Sequence, residues 1–312
     1  AAQYAKWDRS IFQEMRDGGV TCVNATIVYW ESARDTLSEI GKWNRLFEQN
    51  SDLIFLARTA DDIRYAKSVG KTAITFAFQH CSPIEEDIDL VEIMHTLGVR
   101  FMQLSYNNQS LCAAGCYEEE DPGITRFGRQ VIKEMNRVGM VVDMSHSGEK
   151  STFHAIELSE RPITITHANP KSWQPALRNK SDDLLKALSE SGGMLGFSMY
   201  PFHLKNGPKW SLGDFCTMIA STAELMGIDS IGIGSDLVQG HGNEVVEWMR
   251  NGRWSKEMDF GEGSSDNAGW PSPVEWFSGN RDFNNIATGL AEVGFKKSEI
   301  KKIMGENWLN FF

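Results

Sequence analysis

The chain has 312 residues, 41% of them hydrophobic and 23% charged, which is the composition of a globular protein with a sizeable core. Its formal net charge of −11 argues against nucleic acid or an anionic membrane as partner. Its apolar runs stay short of the roughly 18 residues that cross a bilayer, and its opening residues do not read as a signal peptide.

Taken in chain order, strand-like runs alternate with helix-like runs. Residues 1–19 read as a loop and a short helix, 11–16, ending at the Gly18-Gly19 break. Strand-like runs rich in Val, Ile, Phe, Met and Thr follow at 20–30, 71–78, 99–106, 140–146, 163–167, 193–199 and 230–236. Helical periodicity falls at 33–47, 61–68, 88–97, 125–138, 151–159, 182–190 and 212–226, with Ser181 as an N-cap. A short apolar run at 52–58 is an excursion outside this series. Such alternation implies α/β, a (β/α)8 TIM-like barrel of the metallo-dependent hydrolase type. Seven barrel strands are found where eight are needed. The shortfall lies at the N-terminus, so the first strand is expected to be absent or not included in the chain. The whole of 1–312 is read as one barrel domain. It carries a Trp- and Gly-rich insertion at about 237–282, expected to be a long loop covering the barrel or packing on a second subunit, and closing helices at about 284–312.

In a parallel barrel the chemistry gathers at the C-terminal ends of the strands. Read in order, those ends carry Gln79 and His80, then Tyr106 and Asn107, then His146, His167 and Asp236. Two consecutive strands ending in histidine mark His146 and His167 as metal ligands. Asp236 follows the glycine-interrupted Ile-Gly-Ile-Gly-Ser and can ligate metal or handle a proton. Arg178 has the guanidinium that grips a carboxylate with two hydrogen bonds. His95, His154, His203 and His241 read as structural.

Five cysteines, Cys22, Cys81, Cys112, Cys116 and Cys216, form no regular framework, as expected of reduced thiols in the cytoplasm. Cys112-x-x-x-Cys116 lacks the second pair that would complete a metal or redox site.

At Val-Asp-Met-Ser-His146, Pro-Ile-Thr-Ile-Thr-His167-Ala-Asn, Leu-Arg178-Asn and Ile-Gly-Ile-Gly-Ser-Asp236 the chain resembles the renal, or membrane, dipeptidase family of zinc peptidases. Supporting matches are Gly123-Ile-Thr-Arg-Phe-Gly128, Asn136-Arg-Val-Gly139 and the closing Met304-Gly-Glu-Asn-Trp-Leu-Asn-Phe-Phe312. The resemblance implies a (β/α)8-like barrel, often dimeric, in which two zinc ions share a bridging glutamate. It implies that His146 and His167 hold one ion, that Asp236 is the catalytic acid/base, and that Arg178 binds the substrate carboxylate. The other ion would need a His-x-Asp pair, which the chain lacks. Gln79 stands at the bridging position, and Tyr106 where a histidine positions substrate.

The expectation is therefore a dipeptidase-like hydrolase with one zinc ion per chain rather than two, cleaving an amide or related C–N bond of a small carboxylate-bearing substrate. Gln79, Tyr106 and Asn107 would join Arg178 in binding that substrate. A homodimer is expected, without nucleic-acid or membrane partners. The alternatives are a one-metal or metal-free lyase or cyclic-amide hydrolase on the same barrel, or a non-catalytic ligand-binding barrel.

Overall fold

The computed structural model describes residues 2–257 and 260–312. The strands are β1 (Ala2–Ala5), β2 (Cys22–Val28), β3 (Ile54–Leu56), β4 (Thr72–Phe78), β5 (Val99–Gln103), β6 (Val141–Asp143), β7 (Thr164–Ala168), β8 (Met194–Phe197), β9 (Ile231–Ile233) and β10 (Leu237–Gln239). They form one parallel sheet in the order β10-β1-β2-β4-β5-β6-β7-β8-β9, with β3 off this path, paired to the first half of β4 at Thr72–Ile74. The two ends of that order, β9 and β10, are parted in the chain only by Gly234, Ser235 and Asp236. The sheet thus returns on itself as an α/β barrel with one broken stave. Every residue of β4, β5, β7 and β8 is buried, which is why these strands read as continuous apolar runs.

The strand expected to be absent is present. β1 lies between β10 and β2, with Gln3 opposite Leu237 on one side and Ala25 on the other. Its sequence, Ala-Gln-Tyr-Ala, has little strand propensity of its own. Pairing on both edges and a 2.8 Å hydrogen bond from Gln3 to Asn280 hold it.

The helices are α1 (Arg9–Asp17), α2 (Ala33–Gln49), α3 (Ala60–Ser68), α4 (Asp89–Thr96), α5 (Arg126–Val138), α6 (Glu149–Leu158), α7 (Asp182–Glu190), α8 (Leu212–Met226), α9 (Asn243–Asn251), α10 (Phe283–Glu292), α11 (Lys297–Lys301) and α12 (Asn307–Phe311). Side-chain caps start many of them. Asp8 accepts from Ile11, Thr125 from Gly128, Ser181 from Leu184 and Ser211 from Asp214. Ser32 with Asp35, and Thr59 with Asp62, form reciprocal capping boxes.

Residues 237–282 are more ordered than the loop expected there, since they contain β10 and α9; residues 258 and 259 lie outside the described residues. Indole N–H groups tie the segment down. Trp248 donates to Glu31, Trp270 to the Gly242 carbonyl and Trp276 to the Trp210 carbonyl. At the other end of the barrel, Trp308 of α12 donates to the Ile233 carbonyl, and Asn307 to those of Ile228 and Ile231.

Glycine is required where the staves crowd. A Cβ on Gly234 would lie 1.7 Å from the Thr166 carbonyl oxygen, and one on Gly196 2.0 Å from the same atom. Gly234→Ala should therefore cost about 3 kcal/mol or more in urea unfolding. Gly41→Ala, inside α2 with nothing nearer than 3.9 Å to its Cβ, should instead gain about 0.5–1 kcal/mol. Equal effects of the two would contradict the packing described.

Candidate active site

β6 ends at Asp143, and the chain turns before presenting His146, whereas His167 lies inside β7. The two rings meet with Nε2 facing Nε2 at 3.1 Å. The other ring nitrogen of each is engaged. His146 Nδ1 lies 2.6 Å from Asn107 Oδ1, an oxygen that also accepts from the Cys116 thiol, so Nδ1 carries the proton. His167 Nδ1 lies 2.8 Å from Thr166 Oγ1, whose own proton goes to Asp143 Oδ2 at 2.6 Å, so this Nδ1 donates as well. Both Nε2 atoms are then bare lone pairs pointed at each other, an arrangement that calls for a cation between them. Burial, reinforced by the nearby Arg178 charge, holds both imidazoles well below their ordinary pKa. A proton is thus a poor candidate for that cation.

Asp143 makes the support rigid. Its carboxylate accepts from the backbone and hydroxyl of both Ser145 and Thr166. Ser145 Oγ in turn accepts from the His167 backbone at 3.2 Å. The Gln103 side chain accepts from the His146 backbone at 3.2 Å.

Asp236 sits in the break between β9 and β10 with φ of 55°, a strained left-handed conformation for a residue other than glycine. Its Oδ1 is 4.0 Å from His167 Nε2. Burial raises its pKa to about 6, against the opposing pull of Arg178. Gln79 donates to Thr26 Oγ1 at 3.0 Å. Tyr106 stacks on His146 with ring centres 4.1 Å apart. It meets Tyr29 edge-on at 5.7 Å, and Tyr29 meets Tyr4 of β1 at 5.0 Å.

Arg178 is buried and lines the same pocket, yet two of its nitrogens donate to the carbonyls of Ser145 and His167. The guanidinium thereby clamps the two histidine-bearing segments together. Lys180 is also buried, with Nζ donating to the Ser147 carbonyl at 2.6 Å, and burial lowers its pKa to about 7.

The pocket contains Gln79, Tyr106, Asn107, His146, Arg178 and Asp236, with His167 directly behind. Seven of the eight residues singled out from the sequence are thus brought together; His80 does not line the pocket, and its Nδ1 accepts from the Ser82 backbone at 3.0 Å. The opposite wall was not foreseen: Tyr117, Tyr200, His203, Arg250, Glu262 and Trp270. His203, read as structural, lies against Glu262, with Nε2 and Oε2 3.5 Å apart. The last three of these come from 237–282, whose aromatic content was the one signal that it covers the barrel mouth.

The donor set suits a single divalent ion held by two imidazoles. Among the described residues no group of three His, Cys, Asp or Glu side chains is close enough to form a closed metal site, and Asp236 stands 4.0 Å off. Arg178 and Lys180 add positive charge close by, which weakens cation binding. The donors therefore fit an open, exchangeable site. They do not fit a second ion, because Gln79 is neutral and aromatic rings occupy the region beside His146.

The family described as membrane dipeptidase, peptidase family M19, matches residues 8–252. Dipeptidase tcpJ of Claviceps purpurea is 26% identical over 90% of this chain and 60% of its own length. Dipeptidase aclJ of Aspergillus oryzae is 27% identical over 70% of this chain and 54% of its own. The chain thus spans only a little over half the length of the curated relatives it matches. An amidohydrolase structure from Pseudomonas aeruginosa superposes with a TM-score of 0.94 at 36% identity, covering 99% of this chain and 93% of that one. A Rhodobacter sphaeroides metallo peptidase, liganded with a phosphinate mimic of L-Ala-D-Ala, has the same fold, with a TM-score of 0.79 at 18% identity over 96% of this chain and 88% of that one.

The histidines predict a pH dependence. His146, His167 and His203 have depressed pKa values in the fold and ordinary ones, 6.5, when unfolded. Their stability contribution is present above pH 6.5 and lost as pH falls. His80, depressed to about 4 by burial, adds to them, whereas Asp236, raised to about 6, and the buried Asp143 and Glu262, also raised, act in the opposite sense and offset part of the loss. Urea unfolding of chelator-treated protein should lose about 1–3 kcal/mol between pH 7 and 5.5, and His203→Asn should make the profile shallower. A flat or rising profile would contradict the assignment.

Proposed function

The chain belongs to the membrane dipeptidase family, peptidase family M19, and from that premise we propose a metal-dependent hydrolase that cleaves an amide or related C–N bond in a small, carboxylate-bearing substrate such as a dipeptide. The observation that carries this reading is the pair of facing Nε2 lone pairs, 3.1 Å apart, at the floor of a pocket that also holds Asp236 and Arg178. We propose zinc as the metal, one ion per chain, with His146 and His167 as its ligands. A divalent ion there supplies Lewis acidity and a nucleophile at neutral pH.

The remaining steps fall to the chain's own groups. Asp236, with a pKa near 6 in the ion-free site, is mostly ionised at neutral pH and can take a proton from the attacking water and pass it to the leaving amine. Arg178 places positive charge beside the pocket to orient the substrate carboxylate, while its bonds to Ser145 and His167 keep both histidines in register. Tyr106 and Asn107 fix the His146 ring from its face and its edge. Gln79 keeps its amide nitrogen on Thr26 and bounds the pocket. The segment 237–282 shields these groups from water.

Among the described residues no helix is long and apolar enough to cross a membrane. The five cysteines are free thiols, which suits the cytoplasmic location we propose. A homodimer is proposed from the family resemblance.

The test is turnover of a panel of dipeptides and N-acyl amino acids. Activity should vanish with chelator and return with zinc. His146→Ala should lower kcat/KM at least about a thousandfold, and Asp236→Asn about a hundredfold or more. Activity unaffected by chelator and by His146→Ala would sink the proposal.

A further inference from the structure

Glu262 is held in a set of donors suited to a carboxylate. Its Oε1 accepts from the Arg178 backbone at 3.5 Å, and the Leu177 backbone and the Tyr117 hydroxyl also donate to it. Its Oε2 lies 3.5 Å from His203 Nε2. That nitrogen carries the ring proton. Ser198 Oγ accepts from the Tyr200 backbone at 3.2 Å and gives its own proton to His203 Nδ1 at 3.0 Å, which leaves N–H on Nε2. Burial raises the Glu262 pKa above the usual carboxylate range, and the Arg178 charge, whose N–H groups are turned to carbonyls, opposes that rise together with these hydrogen bonds. The Glu262 side chain is 15% exposed, and among the described residues no Lys or Arg lies within ion-pair distance of it.

Backbone donors, a phenol, an imidazole N–H and a guanidinium charge thus surround one acidic side chain. These groups belong to the barrel, whereas Glu262 comes from the covering segment, and Tyr117, Arg178, His203 and Glu262 all border the pocket beside His146. The donors are specific for a carboxylate without being specific for this one.

We propose that Glu262 is an internal competitor for a carboxylate cradle formed by the backbone of Leu177 and Arg178, Tyr117 and His203, and that it sets how tightly the pocket binds anionic ligands. A ligand carboxylate enters by displacing the Glu262 side chain, which rotates toward solvent. The proposal deepens the hydrolase reading, since it concerns the same pocket, and names Glu262 as a determinant of affinity rather than a catalytic residue.

The test is calorimetric binding, which needs no turnover and so stands apart from any failure of the hydrolase reading. The probes are N-acetylglycine, which has a carboxylate and no amine, and glycinamide, which has an amine and no carboxylate. Glu262→Gln, similar in shape, and Glu262→Ala, which empties the cradle, should each lower the Kd for N-acetylglycine about tenfold or more and leave glycinamide unchanged. Adding Tyr117→Phe to Glu262→Ala should reverse several-fold of that gain. N-acetylglycine affinity that is unchanged or weaker in both Glu262 variants would overturn the proposal. Weakened glycinamide binding would overturn it as well, by making Glu262 an amine-recognising group.

Discussion

Two imidazole nitrogens facing each other at 3.1 Å, each with the opposite ring nitrogen already donating a proton, are the constraint around which this barrel is arranged. Lone pairs brought together in a buried place repel unless something positive lies between them. The supports are correspondingly heavy. Asp143 is shared between Ser145 and Thr166, Asn107 fixes one ring, Thr166 fixes the other, and Arg178 ties the two segments by their carbonyls. Second-layer contacts of this kind orient ligands and raise their basicity.

The same region carries an electrostatic tension. Arg178 and Lys180 bring a buried guanidinium and a buried ammonium group close to where a cation would bind, while the carboxylates of Asp236 and Glu262 line the same pocket. A site of that kind holds one ion in an open coordination sphere and favours an anionic substrate. Tyr4 of β1, Tyr29 just after β2 and Tyr106 after β5 pack in a row that ends on His146, where a second ion would require carboxylates. The proposed chemistry thereby rests on one ion together with Asp236 as the group that moves the proton.

Much of this was legible in the residues. Strands with every residue buried read as apolar runs, and α7 and α8 begin and end where their periodicity does. The strand-end residues converge because a parallel barrel leaves them no alternative. β1 was missed because four residues of low strand propensity are ordered only by partners on both edges, one of them more than two hundred residues away. His203 and Glu262 were missed for a related reason. His203 follows a short turn after β8, Glu262 lies in an irregular segment, and their meeting depends on how that segment folds over the barrel. Tertiary pairing of loop residues leaves no periodic trace along the chain. Asp143 did leave one, an acidic residue within an apolar strand, and its meaning became plain only with Thr166 beside it.

The most direct measurement is a calorimetric zinc titration of protein first stripped with chelator. The facing imidazoles predict a single binding event with a stoichiometry of one per chain, absent in the His146→Ala and His167→Ala variants. Two binding events per chain, or one that survives loss of both histidines, would contradict the account.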